Sequence, residues 1–367
     1  MCAVTRRGTK ARFGGKRRVW VMRRFVWLLL AACVAAVPMS GGAAPAAERV
    51  PRQVLAFYYG WYGNPQVTGK WRHWNPAPDQ KHADNIADTP RDGLYDSHDP
   101  AEIAREVAEA RDAGITGLIA SWWGQHSFED SGMAPLLAAA NRSGMKVTAY
   151  LERLNGDNEA ARTQSAIEDL LYLLRTYAAD PAWLRVDGKP VVFIYDRAMD
   201  ELPLVGWRYA LAQVRAQAPR GLVAIAKYDP AWLEVFDGAH DYNITQDTQG
   251  LSQPQLQAWG REHYGREVAA AGGKISCATV IPGFDDSSTD RPRPRPITER
   301  SNGQTYATLW QAAIAAKPDW VLITSWNEWH EGSEIEPAVA DNGMYLTETR
   351  RFAGEFLSGR QGRASPK

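Results

Sequence analysis

The sequence of 367 residues predicts an α/β protein built as a single (β/α)8 barrel with long loops at the carboxyl ends of its strands. Three observations predict this fold. From residue 50 onward, eight short apolar runs alternate with amphipathic, alanine-rich stretches, which is the pattern of parallel strands joined by helices. Polar and aromatic residues follow four of these runs. The length also suits one barrel of about 250 residues with insertions, without a second core.

Each predicted strand is an apolar run bounded by glycine, proline or polar residues. In order, the runs are Val54–Tyr62, Ile115–Gly124, Lys146–Glu152, Pro190–Asp196, Leu222–Tyr228, His240–Thr245, Lys274–Phe284 and Trp320–Trp329. Helical periodicity separates most of them, in Ala101–Ala113, Asn158–Ala178, Leu204–Ala218, Gln253–Ala271 and Gln304–Ala316. Gly114 and Pro318 stand just after two of these helices, where helix-ending residues are expected.

The first 46 residues have the features of an export signal. The apolar run Phe25–Val37 follows a basic stretch and is shorter than the roughly 20 residues of a membrane-spanning helix. Small residues at 44–46 offer a cleavage site; Met22 is an alternative start, and Cys33 an alternative site of lipid attachment. We therefore expect an exported protein that is secreted, periplasmic or at the cell surface, with a leader over 1–46, a folded domain over 47–360 and a flexible tail over 361–367.

The charge balance argues against a nucleic-acid partner. The chain has 42 basic and 42 acidic residues, and nine of the basic ones lie in the leader, which leaves 33 against 42 in the remainder. Binding to phosphates requires clustered Lys and Arg, which an acidic domain lacks. A neutral glycan is the more natural partner, and the only membrane contact expected is a lipid on Cys33.

Aromatic and polar residues collect at one end of the predicted barrel. The strands end in the segments 57–65, 121–124, 150–152 and 325–331, which contain five of the 15 Trp and four of the 14 Tyr. A Trp or Tyr ring suits stacking on a sugar, although a buried aromatic core is the alternative. Since barrel active sites lie at the carboxyl ends of the strands, we expect the site there, flanked by the long loops 70–100 and 285–302.

Glu328 and Glu331 stand at the end of the last predicted strand with two residues between them. Hydrolysis of a glycosidic bond requires two carboxyl groups, one of which holds a proton near neutral pH. The flanking Trp326, Trp329 and His330 would exclude water and separate the acidities of the two groups. The alternative is a solvated pair in a surface loop, and the position at a strand end favours the catalytic interpretation.

A metal site is not expected at this segment. A zinc-protease helix needs a second histidine four residues after His330, and position 334 is Glu. Either Glu334 or Glu336 is expected to point inward, and we favour Glu336 because Pro337 fixes the turn after it.

Six segments in the same order resemble glycoside hydrolase family 99, over roughly residues 54–357. They are Tyr58-Tyr59-Gly60-Trp61-Tyr62-Gly63-Asn64-Pro65, Trp71-Arg72-His73-Trp74, Tyr95-Asp96-Ser97-His98-Asp99-Pro100, Ser121-Trp122-Trp123-Gly124, Pro282-Gly283-Phe284-Asp285-Asp286 and residues 326–337. The resemblance implies a retaining, endo-acting α-mannosidase or α-mannanase on a (β/α)8 barrel, acting on internal α-1,2 linkages of mannan or mannose-rich glycans. It also implies that neither a metal nor an organic cofactor is needed.

The resemblance also implies roles for individual residues. Glu328 would deprotonate the 2-hydroxyl of the substrate, which attacks the anomeric carbon and gives a 1,2-anhydro sugar, while Glu331 would protonate the leaving group and later activate water. The expected substrate-binding residues are Tyr59, Trp61, His73, Trp74, Trp122, Trp123, Glu152, Tyr242, Trp326, Asn327, His330 and Glu336. The chain departs from the family at Ser333-Glu334-Ile335-Glu336, where Thr-Gln-Ile-Glu is common, and an extra carboxylate there could change subsite preference.

Two other functions fit the same barrel. A family-99-like glycosyltransferase or polysaccharide-assembly enzyme would use a nucleotide sugar and normally face the cytoplasm, which the export signal argues against. A non-catalytic glycan-binding protein would keep the aromatic cleft, but it is expected to lack at least one of the two carboxylates, and both are present.

Overall fold

The predicted α/β barrel is confirmed by the computed structural model, which describes residues 50–359. Eight parallel strands of this part of the chain form a closed (β/α)8 TIM barrel, and the ring closes where β3 pairs with β5, with Tyr150 beside Phe193. A short β4 pairs antiparallel with β5 outside the ring. The strands are β1 Gln53–Tyr58, β2 Gly117–Trp122, β3 Lys146–Leu151, β4 Arg185–Val186, β5 Lys189–Ile194, β6 Val223–Lys227, β7 Gly238–His240, β8 Ile275–Val280 and β9 Trp320–Ile323.

Helices cover the outside of the barrel, and local signals set their ends. Asp99 caps the first helix by accepting a hydrogen bond from the backbone of Ala101, and Gly144 ends the second in the left-handed conformation with φ of 73°. Within residues 50–359, no helix combines the length and apolarity needed to cross a membrane. The helices are α1 Pro100–Asp112, α2 Phe128–Ser143, α3 Glu159–Thr176, α4 Asp196–Asp200, α5 Leu204–Gln217, α6 Thr245–Thr248, α7 Gln253–Ala271, α8 Gln304–Ala316 and α9 Met344–Ser358.

The sixth predicted strand is displaced in the structure. The strand covers Gly238–His240 instead of His240–Thr245, and Thr245 begins α6. The side chain of Asn243 accepts a hydrogen bond from the backbone of Thr245, which starts a helical turn where an apolar pattern had suggested a strand. The predicted leader over 1–46, the lipid site at Cys33, the start at Met22 and the tail over 361–367 lie outside the described residues.

Alternation along the strands decides which side chains face the barrel interior. On β1, Leu55 and Phe57 pack with the interior residues, whereas Val54, Ala56 and Tyr58 pack against the helices. The same alternation continues past the strand end, so that Tyr59 lies on the interior side. The barrel therefore carries selected side chains upward into the space above its carboxyl end.

Candidate active site

A cavity of about 550 Å³ opens above the carboxyl ends of the strands, where the sequence had placed the site. Seven of the residues predicted from the sequence line it together with the two glutamates. The lining residues are Tyr59, Trp61, His73, Asn85, Trp123, Glu152, Tyr195, Arg197, Tyr242, Thr289, Asp290, Arg291, Glu328, His330 and Glu331.

A short 3-10 turn over Trp329–Glu331 positions both glutamates. Glu328 precedes the turn, and its carboxylate accepts a hydrogen bond from the backbone N–H of His330 at 3.2 Å. The backbone of the turn is held at both ends: the N–H of Glu328 donates to Ser325 Oγ at 2.7 Å, and the carbonyl of Glu331 accepts from the N–H of Asp285 at 2.8 Å. Two carboxyl groups three positions apart therefore reach one cavity.

Glu331 is the group suited to hold a proton. Burial and the nearby charge of Glu328 raise its pKa to about 7, although the ion pair with Arg291 acts in the opposite direction. Arg291 Nη1 lies 2.7 Å from Glu331 Oε1, and the hydroxyl of Tyr242 donates to Oε2 at 3.3 Å. A carboxyl with this pKa can act as an acid and then as a base near neutral pH.

Glu328 faces a histidine instead of an arginine. The ring of His330 donates from Nε2 to the carbonyl of His73 at 2.7 Å, and its Nδ1 lies 2.9 Å from Glu328 Oε1. Burial lowers the pKa of His330, but the hydrogen bond and charge of Glu328 outweigh it, so that the pKa is raised overall. Because Nε2 must carry a hydrogen to bind the carbonyl, protonation at Nδ1 makes an imidazolium that pairs with an ionised Glu328.

Glu152 adds a third carboxyl group to the cavity. Ser121 Oγ donates to it at 2.7 Å and accepts from Trp123 Nε1 at 2.9 Å. Burial first, and then the charges of Glu328 and Glu331, raise the pKa of Glu152 to about 8, against the hydrogen bond from Ser121. The side chain can therefore donate to a sugar hydroxyl at neutral pH.

Aromatic rings form the remaining walls. The hydroxyl of Tyr59 donates to that of Tyr242 at 2.7 Å, so the two tyrosines form a chain that ends at Glu331. The ring of Trp61 stacks on His73 with centroids 4.4 Å apart and planes 4° apart. Flat apolar faces beside carboxyl groups are the surface that a pyranose ring requires.

Trp122 was predicted as a binding residue, and the structure corrects this. It points away from the cavity, because it is on the helix-facing side of β2, and its Nε1 donates to Asp130 of α2 at 2.8 Å. Trp123, the next residue, lines the cavity. Trp74 is likewise behind the wall, where its ring stacks on Tyr62 and its Nε1 donates to the carbonyl of Tyr95.

Three further predicted binding residues support the turn from behind. Trp326 is fully buried and donates to Glu106 of α1 at 3.3 Å, and Asn327 Oδ1 accepts the backbone N–H of Tyr59 at 2.7 Å. Glu336 is fully buried and is paired with Arg105 of α1 at 2.6 Å. None of the three lines the cavity, since the interactions that hold them turn them toward the barrel wall. Glu334, the extra carboxylate, is also buried and paired with Arg300 instead of facing the cleft.

Sequence reasoning missed several lining residues. Tyr195 follows β5 at the end of a predicted strand, so the rule that placed the other residues applies to it as well. Arg291 and Asn85 lie in the two loops that had been predicted to border the site. Neither carries a pattern that distinguishes it from its neighbours, because loop positions have no periodicity.

Comparison with known proteins identifies the family. Residues 50–353 match the model of glycosyl hydrolase family 99. The glycoprotein endo-alpha-1,2-mannosidase of Rattus norvegicus is 29% identical over 80% of this chain and 70% of its own length, and that of Mus musculus is 27% identical over 82% and 74%.

A solved structure agrees with this match. The GH99 endo-alpha-mannosidase from Bacteroides thetaiotaomicron is 28% identical, covers 84% of this chain and 98% of its own, and superposes with a TM-score of 0.71. The chain belongs to glycosyl hydrolase family 99 and is a glycoside hydrolase.

Proposed function

We propose that this protein is an endo-acting α-mannosidase that cleaves internal α-1,2 linkages of mannan or a mannose-rich glycan with retention of configuration. The observation that carries the proposal is the pair Glu328 and Glu331 on one fixed turn, with His330 Nδ1 2.9 Å from Glu328 Oε1 and a pKa of about 7 for Glu331. The names of the rat and bacterial relatives support the mannose specificity.

In the first step, Glu328 removes the proton from the 2-hydroxyl of the mannose whose linkage is cut. The freed oxygen attacks the anomeric carbon of the same sugar, and the bond to the leaving oxygen breaks. Glu331 gives its proton to that oxygen, so the products are a shortened glycan and a 1,2-anhydro sugar. The axial 2-hydroxyl of mannose lies opposite the leaving group, which gives the intramolecular attack a high effective concentration.

In the second step, Glu331, now ionised, takes a proton from water as the water attacks the anomeric carbon. The anhydro ring opens, and Glu328 returns its proton to the 2-oxygen. Two inversions give net retention, and both carboxyl groups regain their starting protonation states. The backbone N–H of His330 and its Nδ1 atom, 3.2 Å and 2.9 Å from Glu328 Oε1, hold the Glu328 carboxyl group in position through both steps.

The side chains around Glu328 and Glu331 are placed to bind the sugar rings of the substrate. Glu152 is placed to donate to a sugar hydroxyl, and Trp61 and Trp123 offer faces for ring stacking. With the leader predicted by the first 46 residues, the proposed site of action is outside the cytoplasm, on an extracellular or periplasmic glycan.

Digestion of defined α-mannan oligosaccharides, followed by ¹H NMR from the first minute, tests the proposal. Internal cleavage with the α-anomer formed first is the expected result. A β-anomer formed first would exclude the anhydro-sugar route, and release of single mannose residues only would exclude endo action.

A further inference from the structure

The loop after β8 carries the segment Arg291-Pro-Arg-Pro-Arg-Pro296, whose three guanidinium groups converge on one carboxylate. Asp286 has a fully buried side chain, and Arg291 and Arg293 approach it at 3.2 Å and 2.8 Å, with Arg295 also paired to it. A buried carboxylate with three cationic partners holds the loop in one conformation. We call residues 286–296 the arginine strap.

Arg291 differs from the other two arginines of the strap in what else it contacts. Its Nη1 atom, which contacts Asp286, lies also 2.7 Å from Glu331 Oε1, and its side chain lines the cavity. Arg293 contacts Asp286 and backbone carbonyls of the strap, at Asp286 and Thr289. Asp286 therefore holds the Arg291 guanidinium from one side, and the same guanidinium contacts the Glu331 carboxyl group on the other.

The other groups that act on Glu331 are two carboxyl groups, three tyrosines and the ring of His330. The charges of Glu328 and Glu152 oppose its ionisation, and Tyr242 donates a hydrogen bond to it. Tyr59, Tyr195 and His330 also interact with it electrostatically, from the ends of β1, β5 and β9. Arg291 is the guanidinium within hydrogen-bond distance of Glu331 in the described part of the chain.

We propose that Arg291, held from behind by Asp286, is a positioning residue that aims the Glu331 carboxyl group and makes its proton easier to release to the glycosidic oxygen. The inference rests on the proposed function. Glu331 must release a proton in the first step and accept one in the second, so a fixed cation keeps both directions accessible near neutral pH. Without that cation, burial and two neighbouring carboxylates would hold the proton on Glu331.

The test compares Arg291→Met, Arg291→Lys and the control Arg293→Met in the full chain, with the pH dependence of kcat/KM on a defined α-mannan oligosaccharide. Arg291→Met is expected to move the basic limb of the profile upward by about one pH unit and to lower kcat. Arg291→Lys, which retains the charge, and Arg293→Met, which leaves Arg291 on Asp286, are expected to keep the limb within about 0.3 unit of wild type. An unmoved limb in Arg291→Met, or an equal shift in Arg293→Met, would overturn the proposal.

A measurement independent of turnover separates this inference from the proposed function. The chain is labelled with ¹³C at glutamate carboxyl groups, the Glu331 resonance is assigned by its loss in Glu331→Gln, and it is titrated in wild type and Arg291→Met. A higher midpoint in Arg291→Met supports the proposal even if wild type hydrolyses no mannan, and an unchanged midpoint contradicts it. Thermal unfolding of each variant verifies that the substitution in the strap has not changed the fold.

Discussion

Within residues 50–359, two pairs of glutamates with little exposed surface lie on opposite sides of one turn, and one of these pairs lines the cavity. The cavity pair is Glu328 and Glu331. The sealed pair, Glu106 and Glu336, lies behind the turn, where Glu106 accepts hydrogen bonds from Tyr58 and Trp326 at 2.8 and 3.3 Å. Glu336 accepts from Tyr95 and Trp329 at 2.9 and 3.2 Å and pairs with Arg105.

The comparison shows that a perturbed carboxyl group is not by itself a catalytic one. Burial and the charge of Glu336 raise the pKa of Glu106, and burial raises that of Glu336 to about 7, the same value as for Glu331. The pairs differ in access and in partners. Donors of the protein bind both oxygens of Glu106 and of Glu336, and neither side chain lines the cavity. Glu331 also has protein partners, but it lines the cavity together with Glu328, where a sugar can reach both.

The largest expected effect is the loss of kcat when the proposed catalytic base of the cavity pair, Glu328, is replaced. Glu328→Gln removes the group that accepts the proton of the 2-hydroxyl and should lower kcat by about 10³-fold or more. Steady-state hydrolysis of an α-mannan oligosaccharide measures this, with circular dichroism to verify folding. Retention of more than a tenth of wild-type kcat would exclude Glu328 as the base.

Substitution in the sealed pair should lower the stability of the fold more than the catalytic activity. Glu336→Gln weakens the pairing with Arg105 and sets an amide against the donors Tyr95 and Trp329, so we expect the free energy of unfolding to fall by about 1–3 kcal/mol. Its kcat should remain within about tenfold of wild type, because the carboxyl group touches no substrate. Urea unfolding and steady-state kinetics measure the two effects. A loss of activity as large as that of Glu328→Gln would mean that the two pairs are not functionally distinct.

The adjacent residues Trp122 and Trp123 show the same difference between a buried side chain and one that lines the cavity, and smaller effects are expected from their substitution. Trp123→Ala removes a wall of the cavity and should raise KM about fivefold, which corresponds to about 1 kcal/mol of ring contact. Trp122→Phe loses the hydrogen bond to Asp130 and should lower stability by about 1 kcal/mol without changing KM. The opposite assignment of the two effects would show that the register of β2 is shifted by one residue.

The smallest effect is a dependence of stability on pH. The pKa values of Glu331, Glu334 and Glu336 are about 7 and that of Glu152 is about 8, above those of glutamates in the unfolded chain, because burial disfavours the charged form. At these four groups the folded state binds more protons than the unfolded state between about pH 4.5 and 8, so their contribution to stability falls as pH rises through this range. Calorimetry at pH 5.5 and pH 8 should give a lower Tm at pH 8, and Glu336→Gln should reduce the difference. A higher Tm at pH 8 would contradict the assigned protonation states.

Much of the fold and the centre of the site could be predicted from the sequence, because both depend on local patterns. Alternating apolar runs and helical stretches define a parallel barrel, and Glu328 and Glu331 stand at the end of its last strand. Trp122 could not be separated from Trp123 in this way. Both faces of a parallel barrel strand are buried, so the sequence shows no polar alternation that would fix the inward face.

The other differences come from partners distant in sequence. Glu336 was expected in the cleft, but Arg105 and Tyr95, more than 200 positions away, hold it behind the turn. Arg291 contacts both Asp286, at the base of the strap, and Glu331, which lies 40 positions further along the chain. Neither arrangement leaves a local pattern, since both are decided by tertiary ion pairs.

The most direct test of the distinction between the pairs is the comparison of Glu331→Gln with Glu336→Gln on one α-mannan oligosaccharide. Turnover and, by calorimetric titration, binding are measured for both proteins at the same pH. We predict that Glu331→Gln binds the oligosaccharide but does not hydrolyse it, whereas Glu336→Gln does both. Wild-type turnover by Glu331→Gln would contradict the assignment of the active site.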